Sequence, residues 1–200
     1  PDNPGNYNDV VCIDPLTGFV CDILLDEHYL QENSGEPVIF WDGSGGEIGF
    51  SILMSPTGSD GFTEGDDVGV TDFDPTIAFP DGEQGFGIED SDGVFTMEFE
   101  QVDVTVRESP FVEISLFISE TGWETSDWFM VWVDTDTASV VLFDSQGQDI
   151  DNMGVEGLWQ TLSLDLTGAQ HAAVRVSGAS NANTERIFLD AVFYSGLCPP

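Results

Sequence analysis

The chain has no lysine, and its only basic residues besides His28 and His171 are Arg107, Arg175 and Arg186, set against 38 acids for a formal net charge of −35. Nucleic-acid binding needs a basic footprint that displaces counterions from phosphates, and three scattered arginines do not supply one. Anionic membrane surfaces repel such a chain for the same reason. Without lysine there is no Schiff-base nucleophile and no phosphate-loop lysine. Long hydrophobic runs are also missing: stretches such as Phe129 to Val133 are far too short to cross a bilayer, so no membrane insertion is expected. No signal-peptide pattern opens the sequence, and a chain starting at Pro1 reads as a mature protein or an excised domain. With three cysteines and no histidine pair at ligand spacing, zinc has no donor set.

What is present suits a packed core. Hydrophobic residues make up 40 % of the 200 positions, with 15 Phe and 5 Trp, enough for one all-β domain of this length. The charge strains any compact state through self-repulsion, so it must be screened by salt or neutralised by bound cations. Hard divalent ions held by carboxylate oxygens do the latter, and Ca²⁺ is the expected cofactor. A lysine-free, acid-coated surface also resembles proteins of marine or hypersaline origin, in which the acids serve only solubility in brine.

The cysteines suggest an oxidising, extracellular setting. Residues 10–25 read as a hairpin, with Asp14-Pro15-Leu16-Thr17-Gly18 as its turn. If Asp14 pairs with Phe19, Cys12 faces Cys21 at bridging distance, and a disulfide there contributes roughly 2–3 kcal/mol. The competing pairing ties Cys198 to this hairpin; otherwise Cys198 is left over for a partner.

Residues 1–9 read as a loose lead-in and 10–198 as a single domain. Asp26 to Asn33 is the one weak helical candidate, and Val38 to Trp41 and Glu47 to Met54 read as strands. Residues 55–93 form a long excursion rich in Gly, Asp, Pro and Thr, of a kind that is usually functional or ordered by cations. From Val94 onward, period-two alternation recurs: Phe95, Met97 and Phe99; Val102, Val104 and Val106; Val112 to Ile118; Leu158 to Leu166; Ala172 to Val176; Ile187, Leu189, Ala191 and Phe193. No long segment has the 3.6-residue period. The pattern predicts an all-β antiparallel sandwich. Trp128 to Val133 and Val140 to Phe143 are apolar on both faces, as in central strands or strands covered by a partner.

Three segments follow one another: Gly157-Leu-Trp-Gln-Thr-Leu-Ser-Leu-Asp-Leu166, the strand Ala172 to Val176, and Arg186-Ile-Phe-Leu-Asp-Ala-Val-Phe-Tyr194. With Trp128-Phe-Met-Val-Trp-Val-Asp134 before them, they resemble the second half of extracellular jelly-roll modules of the carbohydrate-binding and MAM-like kinds. The resemblance covers residues 84–194. It implies a jelly roll, a carbohydrate ligand and a structural Ca²⁺ site that uses a last-strand carboxylate, here Asp190. Ala191 stands where the family has Asn or Asp, and the family's N-terminal pattern is absent.

The acids offer further candidate ligands. Asp134 and Asp136 alternate at a strand end, where two oxygens can share one side; a solvated turn is the ordinary alternative. Asp144, Asp149 and Asp151 are spaced like an irregular Ca²⁺ loop that departs from the EF-hand pattern, and Asp90 with Asp92 marks another acidic loop. For sugar stacking the candidates are Trp123, in the turn Glu120 to Ser126, and Trp159, on the polar face of its strand. Trp41, Trp128 and Trp132 read as core. His28 and His171 lack triad partners, and no carboxylate pair stands out for glycoside hydrolysis. These features point to a secreted, Ca²⁺-stabilised, noncatalytic module that binds a glycan or another extracellular partner. The alternatives are a self-assembling subunit of a surface layer, filament or adhesin, and a polysaccharide-degrading enzyme.

Overall fold

A computed structural model describes residues 11–13, 20–22, 38–41, 48–56, 67–71, 77–81, 85–91, 93–120, 122–182 and 184–197. The lead-in at 1–9, the helical candidate at 26–33, His28, Asp92 and Cys198 lie outside them. Among the described residues the chain is nearly all β. One sheet runs in spatial order β11 (Ser139–Asp144), β10 (Trp128–Thr135), β13 (His171–Ala179), β7 (Gly93–Phe99), β4 (Phe50–Pro56), β3 (Val38–Trp41), β1 (Val11–Ile13) and β2 (Val20–Asp22), with β8 (Val102–Asp103) also on β13. The second runs β12 (Gln160–Asp165), β9 (Glu108–Ile118), β14 (Arg186–Leu197), β6 (Gly85–Glu89) and β5 (Asp67–Thr71). The described ladders are antiparallel, as predicted.

The alternation builds the core between the sheets. Phe95, Met97 and Phe99 point inward from β7 while Val94 and Glu98 are exposed. Phe129, Val131 and Val133 do the same from β10, opposite Val112, Ile114, Leu116 and Ile118 of β9 and Ile187 and Leu189 of β14. Each such side chain contributes about 1.5–3 kcal/mol on burial, which makes the inner faces the main stabilising element. Arg175 pairs with Asp134 at 3.4 Å and Arg186 with Glu89 at 2.8 Å, so both arginines cross-link neighbouring strands.

The structure departs from the sequence reading in several places, and Trp128 and Trp132, read as core, stand on the face of β10 opposite the core-facing Phe129, Val131 and Val133. The excursion 55–93 is partly strand, since β5 and β6 lie within it and extend the second sheet. The alternation at 102–106 stops after Asp103, because Asp103 Oδ1 accepts from the backbone N–H and the hydroxyl of Thr105 and closes a turn that leaves Val106 exposed. Val140 to Phe143 lies in β11, which sits at the end of its sheet, and Val141 is exposed. A bulge after Asp190, with Ala191 at φ 48°, shifts the phase of β14. Val192 and Tyr194 then pack on the core and Phe193 turns outward, the reverse of the predicted order, because one extra residue swaps the faces. At the N-terminal end the backbone register sets Cys12 opposite Cys21 and Ile13 opposite Val20, as the hairpin reading expects.

Candidate functional site

The outer face of the second sheet carries an aromatic surface. Phe117 of β9 lies directly across from Phe188 of β14, followed by Gly87 of β6 and Gly69 of β5, which add no side chain there. Residues 77–81 run over this face as a strap. Phe79 stacks edge-on against Phe188 at 6.0 Å, over Gly85, where any Cβ would run into its ring. One end of the strap is held by Asp81, whose N–H donates to Asp190 Oδ2 at 2.9 Å. The other is held by the Trp159 indole N–H, which donates to the Ala78 carbonyl at 2.8 Å.

Beside the strap a groove of about 550 Å³ opens, lined by Ile77, Ala78, Phe117, Ser119, Glu120, Gly157, Leu158 and Trp159. The half-buried Trp159 ring is backed by Phe117 at 5.5 Å and Phe79 at 5.9 Å, so its orientation is fixed by packing as well as by its hydrogen bond. Leu158 is 68 % exposed at the rim. Gly157, at φ 70°, donates to the Ile118 carbonyl and lets Glu120 lie against its backbone; a Cβ there would come within 2.6 Å of Glu120 Oε1. The groove therefore combines an anchored indole and apolar side chains with a carboxylate at Glu120, and among the described residues no cation lines it. The Ser119 hydroxyl is engaged within the fold, donating to the Thr184 carbonyl and accepting from the Arg186 N–H, each at 3.0 Å.

Trp123 corrects the expectation of an exposed platform. It is 3 % exposed, its indole N–H donates to the Ser119 carbonyl at 3.0 Å, and its backbone N–H donates to Asp151 Oδ1. The turn that carries it folds back onto the core, so it braces the groove wall from behind. Of the two tryptophans singled out, Trp159 lines the groove.

The acids proposed as ligands are spread over separate local tasks. Asp190 is buried and accepts from the N–H groups of Asp81 and Ala191; burial pushes its carboxyl up to about 6 against those two bonds. Asp134 pairs with Arg175 and accepts from the Ser139 hydroxyl. Asp136 accepts from the N–H groups of Gln170 and His171, which hold its carboxyl below the usual range. Asp144 and Asp149 cap their own turns at Gln146 and Asp151. Asp90 ends β6 at φ 48°. Among the described residues these acids do not converge on one point.

The acids that do converge are three others, Glu124, Asp127 and Glu185, each with one carboxylate oxygen within 4.8 Å of the other two. Glu124 is exposed, while Asp127 and Glu185 are 2 % and 1 % exposed. Burial above all, joined by the charges of Asp127 and Glu124, pushes Glu185 up to about 7, against a bond from the Asn181 N–H. Sequence spacing carried part of this signal: Glu124 and Asp127 stand three apart in one turn, and Asp127 N–H closes it onto the Glu124 carbonyl. Glu185 arrives only through the fold.

No family model matches the chain, and no curated protein matches it. Solved structures similar to it include a carbohydrate-binding module, TmCBM61, in complex with β-1,4-galactotriose, at TM-score 0.46 and 15 % identity over 64 % of this chain and 81 % of that one. A family 30 carbohydrate-binding module of a Clostridium thermocellum cellulosomal cellulase matches at TM-score 0.38 and 14 % identity, over 86 % of this chain and 98 % of that one. The enzymatically active domain of bacteriophage CBA120 tailspike protein 4 matches at TM-score 0.45 and 11 % identity, over 78 % of this chain and 20 % of that one. Each likeness falls below a TM-score of 0.5, and none carries an assignment of function.

Proposed function

We propose that the chain is a noncatalytic, extracellular β-sandwich module that binds a neutral glycan in the groove beside Trp159, with Ca²⁺ as its stabilising ion. The observation that carries this reading is the anchored, half-buried Trp159 ring facing an open groove. An aromatic ring with a polar group beside it suits a pyranose, whose C–H face packs on the ring while its hydroxyls meet the Glu120 carboxylate. The ligand is neutral because Glu120 and the net charge of −35 repel anionic sugars. Among the described residues the groove holds a single carboxylate, Glu120, whereas glycoside hydrolysis uses two flanking the scissile bond, which favours binding over cleavage. No helix among the described residues is long and apolar enough to cross a membrane.

Affinity electrophoresis through gels containing neutral or anionic polysaccharides tests the reading. Retardation by at least one neutral polysaccharide is expected, with Trp159→Ala weakening it about ten- to hundred-fold, or about 1.4–2.8 kcal/mol. Retardation that Trp159→Ala leaves unchanged, or that occurs only with anionic polymers, overturns it.

A further inference from the structure

We propose that Glu124, Asp127 and Glu185 form a Ca²⁺ site that joins two loops at one end of the sandwich. Asp127 stands immediately before β10 and Glu185 immediately before β14, and the loops meet because Trp128 pairs with Ala179 and Ile118 with Ile187. The site deepens the calcium part of the reading above and does not depend on the glycan groove.

Two independent observations support it. The first is the convergence of three carboxylate oxygens within 4.8 Å, a spread that a Ca²⁺ shell of about 2.3–2.6 Å radius spans. The second is Glu185 Oε1, a buried atom on a side chain only 1 % exposed, which receives no hydrogen bond from a donor group, while the side-chain neighbour at hydrogen-bonding reach of Glu185 is another acid, Glu124. An orphaned buried carboxylate oxygen is costly and calls for a partner.

The remaining oxygens are oriented by donors of the same two loops. Glu185 Oε2 accepts from the Asn181 N–H at 3.0 Å, Asp127 Oδ1 from the Asn181 side-chain amide at 3.2 Å, and Asp127 Oδ2 from the Glu124 N–H at 2.9 Å. Asn181 thus binds both buried acids and fixes their separation. The charges acting on Glu185 are those of Asp127 and Glu124, all of one sign, which a divalent cation reverses from repulsion to attraction. Glu124 lies at the surface, so water reaches its carboxylate. The irregular turn geometry suits Ca²⁺, which tolerates varied shells, better than Mg²⁺, which demands a near-ideal octahedron.

The test is calorimetric titration of the EDTA-stripped full chain with Ca²⁺ alone, at fixed high NaCl so that diffuse counterion binding is suppressed. One saturable site per chain is expected. Glu185→Gln, which removes the charge and keeps an acceptor for the Asn181 N–H, lowers affinity about ten-fold or more. Asp144→Asn, in a separate capped turn, stays within about two-fold. Equal effects of the two substitutions, or no saturable site, overturn the proposal. If chelation lowers the melting temperature and Glu185→Gln preserves that dependence, calcium stabilises the module elsewhere and this site falls alone. Should Glu185→Gln fail to fold, Tb³⁺ luminescence of the unaltered protein decides: excitation of Trp123 and Trp128, which flank Glu124 and Asp127 in sequence, sensitises bound Tb³⁺, and millimolar Ca²⁺ quenches the signal. Absence of sensitised emission, or emission that Ca²⁺ does not displace, contradicts the proposal.

Discussion

The groove at Trp159 and the acidic end at Glu185 share one loop and handle polarity in opposite ways. Residues 119–120 wall the groove, while residues 124–127 supply two of the three converging carboxylates. At the groove, each strong polar group that holds the strap has its partner: the indole N–H meets the Ala78 carbonyl, and the Asp190 carboxylate meets two backbone N–H groups. What stays open is the Trp159 ring and the Leu158 side chain, with the Glu120 carboxylate beside them. At the acidic end a buried carboxylate oxygen stays open instead. An aromatic surface with one carboxylate beside it selects a neutral polyhydroxylated ligand, whereas a pocket with a buried unsatisfied charge selects a counter-charge. Trp123 connects the two, since its indole N–H anchors Ser119 at the groove and its neighbour Glu124 belongs to the trio.

The largest effect that separates the two regions is calcium-dependent stability. At Ca²⁺ about a thousand-fold above its dissociation constant, binding to the folded state alone adds about 4 kcal/mol, lost on chelation and not restored by NaCl. Melting curves in EDTA and in Ca²⁺ at matched ionic strength measure it, and recovery in NaCl reduces the acids to a salt adaptation.

Next comes the strap. Asp190 has a folded-state pKa of about 6 against an ordinary 3.8, so the folded state binds its proton more tightly. Its contribution is complete below about pH 3.8 and is lost as pH rises through about 6, a change on the order of 3 kcal/mol. The difference in unfolding free energy between the unaltered protein and Asp190→Asn, followed from pH 4 to 7.5, should show that fall; a difference flat with pH contradicts the assignment. At neutral pH, Asp190→Ala leaves two backbone donors unpaired, costs about 1–3 kcal/mol and speeds amide exchange at Asp81.

A smaller effect tests the shared loop. If the cation orders residues 119–127, Ca²⁺ strengthens glycan binding a few-fold, and the glycan strengthens Ca²⁺ binding by the same factor. Trp159→Ala leaves Ca²⁺ affinity unchanged. Calorimetry of each ligand with and without the other reads this factor.

The smallest effect belongs to the exposed capped acids. Asp136 and Asp165 are held below the usual carboxylate range by hydrogen bonds from the turns they cap, so their contribution is present above pH 3.8 and fades only as pH falls below it. Substituting either with Asn shifts acid-limb melting slightly and leaves Ca²⁺ affinity unchanged.

The sheets were legible because period-two alternation reports burial directly, as in β7 and β9, where Phe95, Met97, Val112 and Ile114 all face inward as read. The phase of β14 beyond Asp190 was not, because the bulge at Ala191 leaves no mark in composition. The outward placement of Trp159 was legible from its position on the polar face of its strand. Trp123 was misread as exposed because turn residues alone do not reveal that a turn folds back onto the core. With 38 acids, spacing along the chain could not distinguish turn caps from the trio, which needs a contact between loops far apart in sequence.

Titration of the isotope-labelled protein with a neutral oligosaccharide that retards it in gels, followed through the indole N–H resonances, tests the central claim most directly. The Trp159 resonance is predicted to shift most, with the amides of Ser119, Glu120 and Leu158, while Trp123 moves little behind the wall. Saturable binding that leaves Trp159 unmoved and perturbs another face of the sandwich would contradict it.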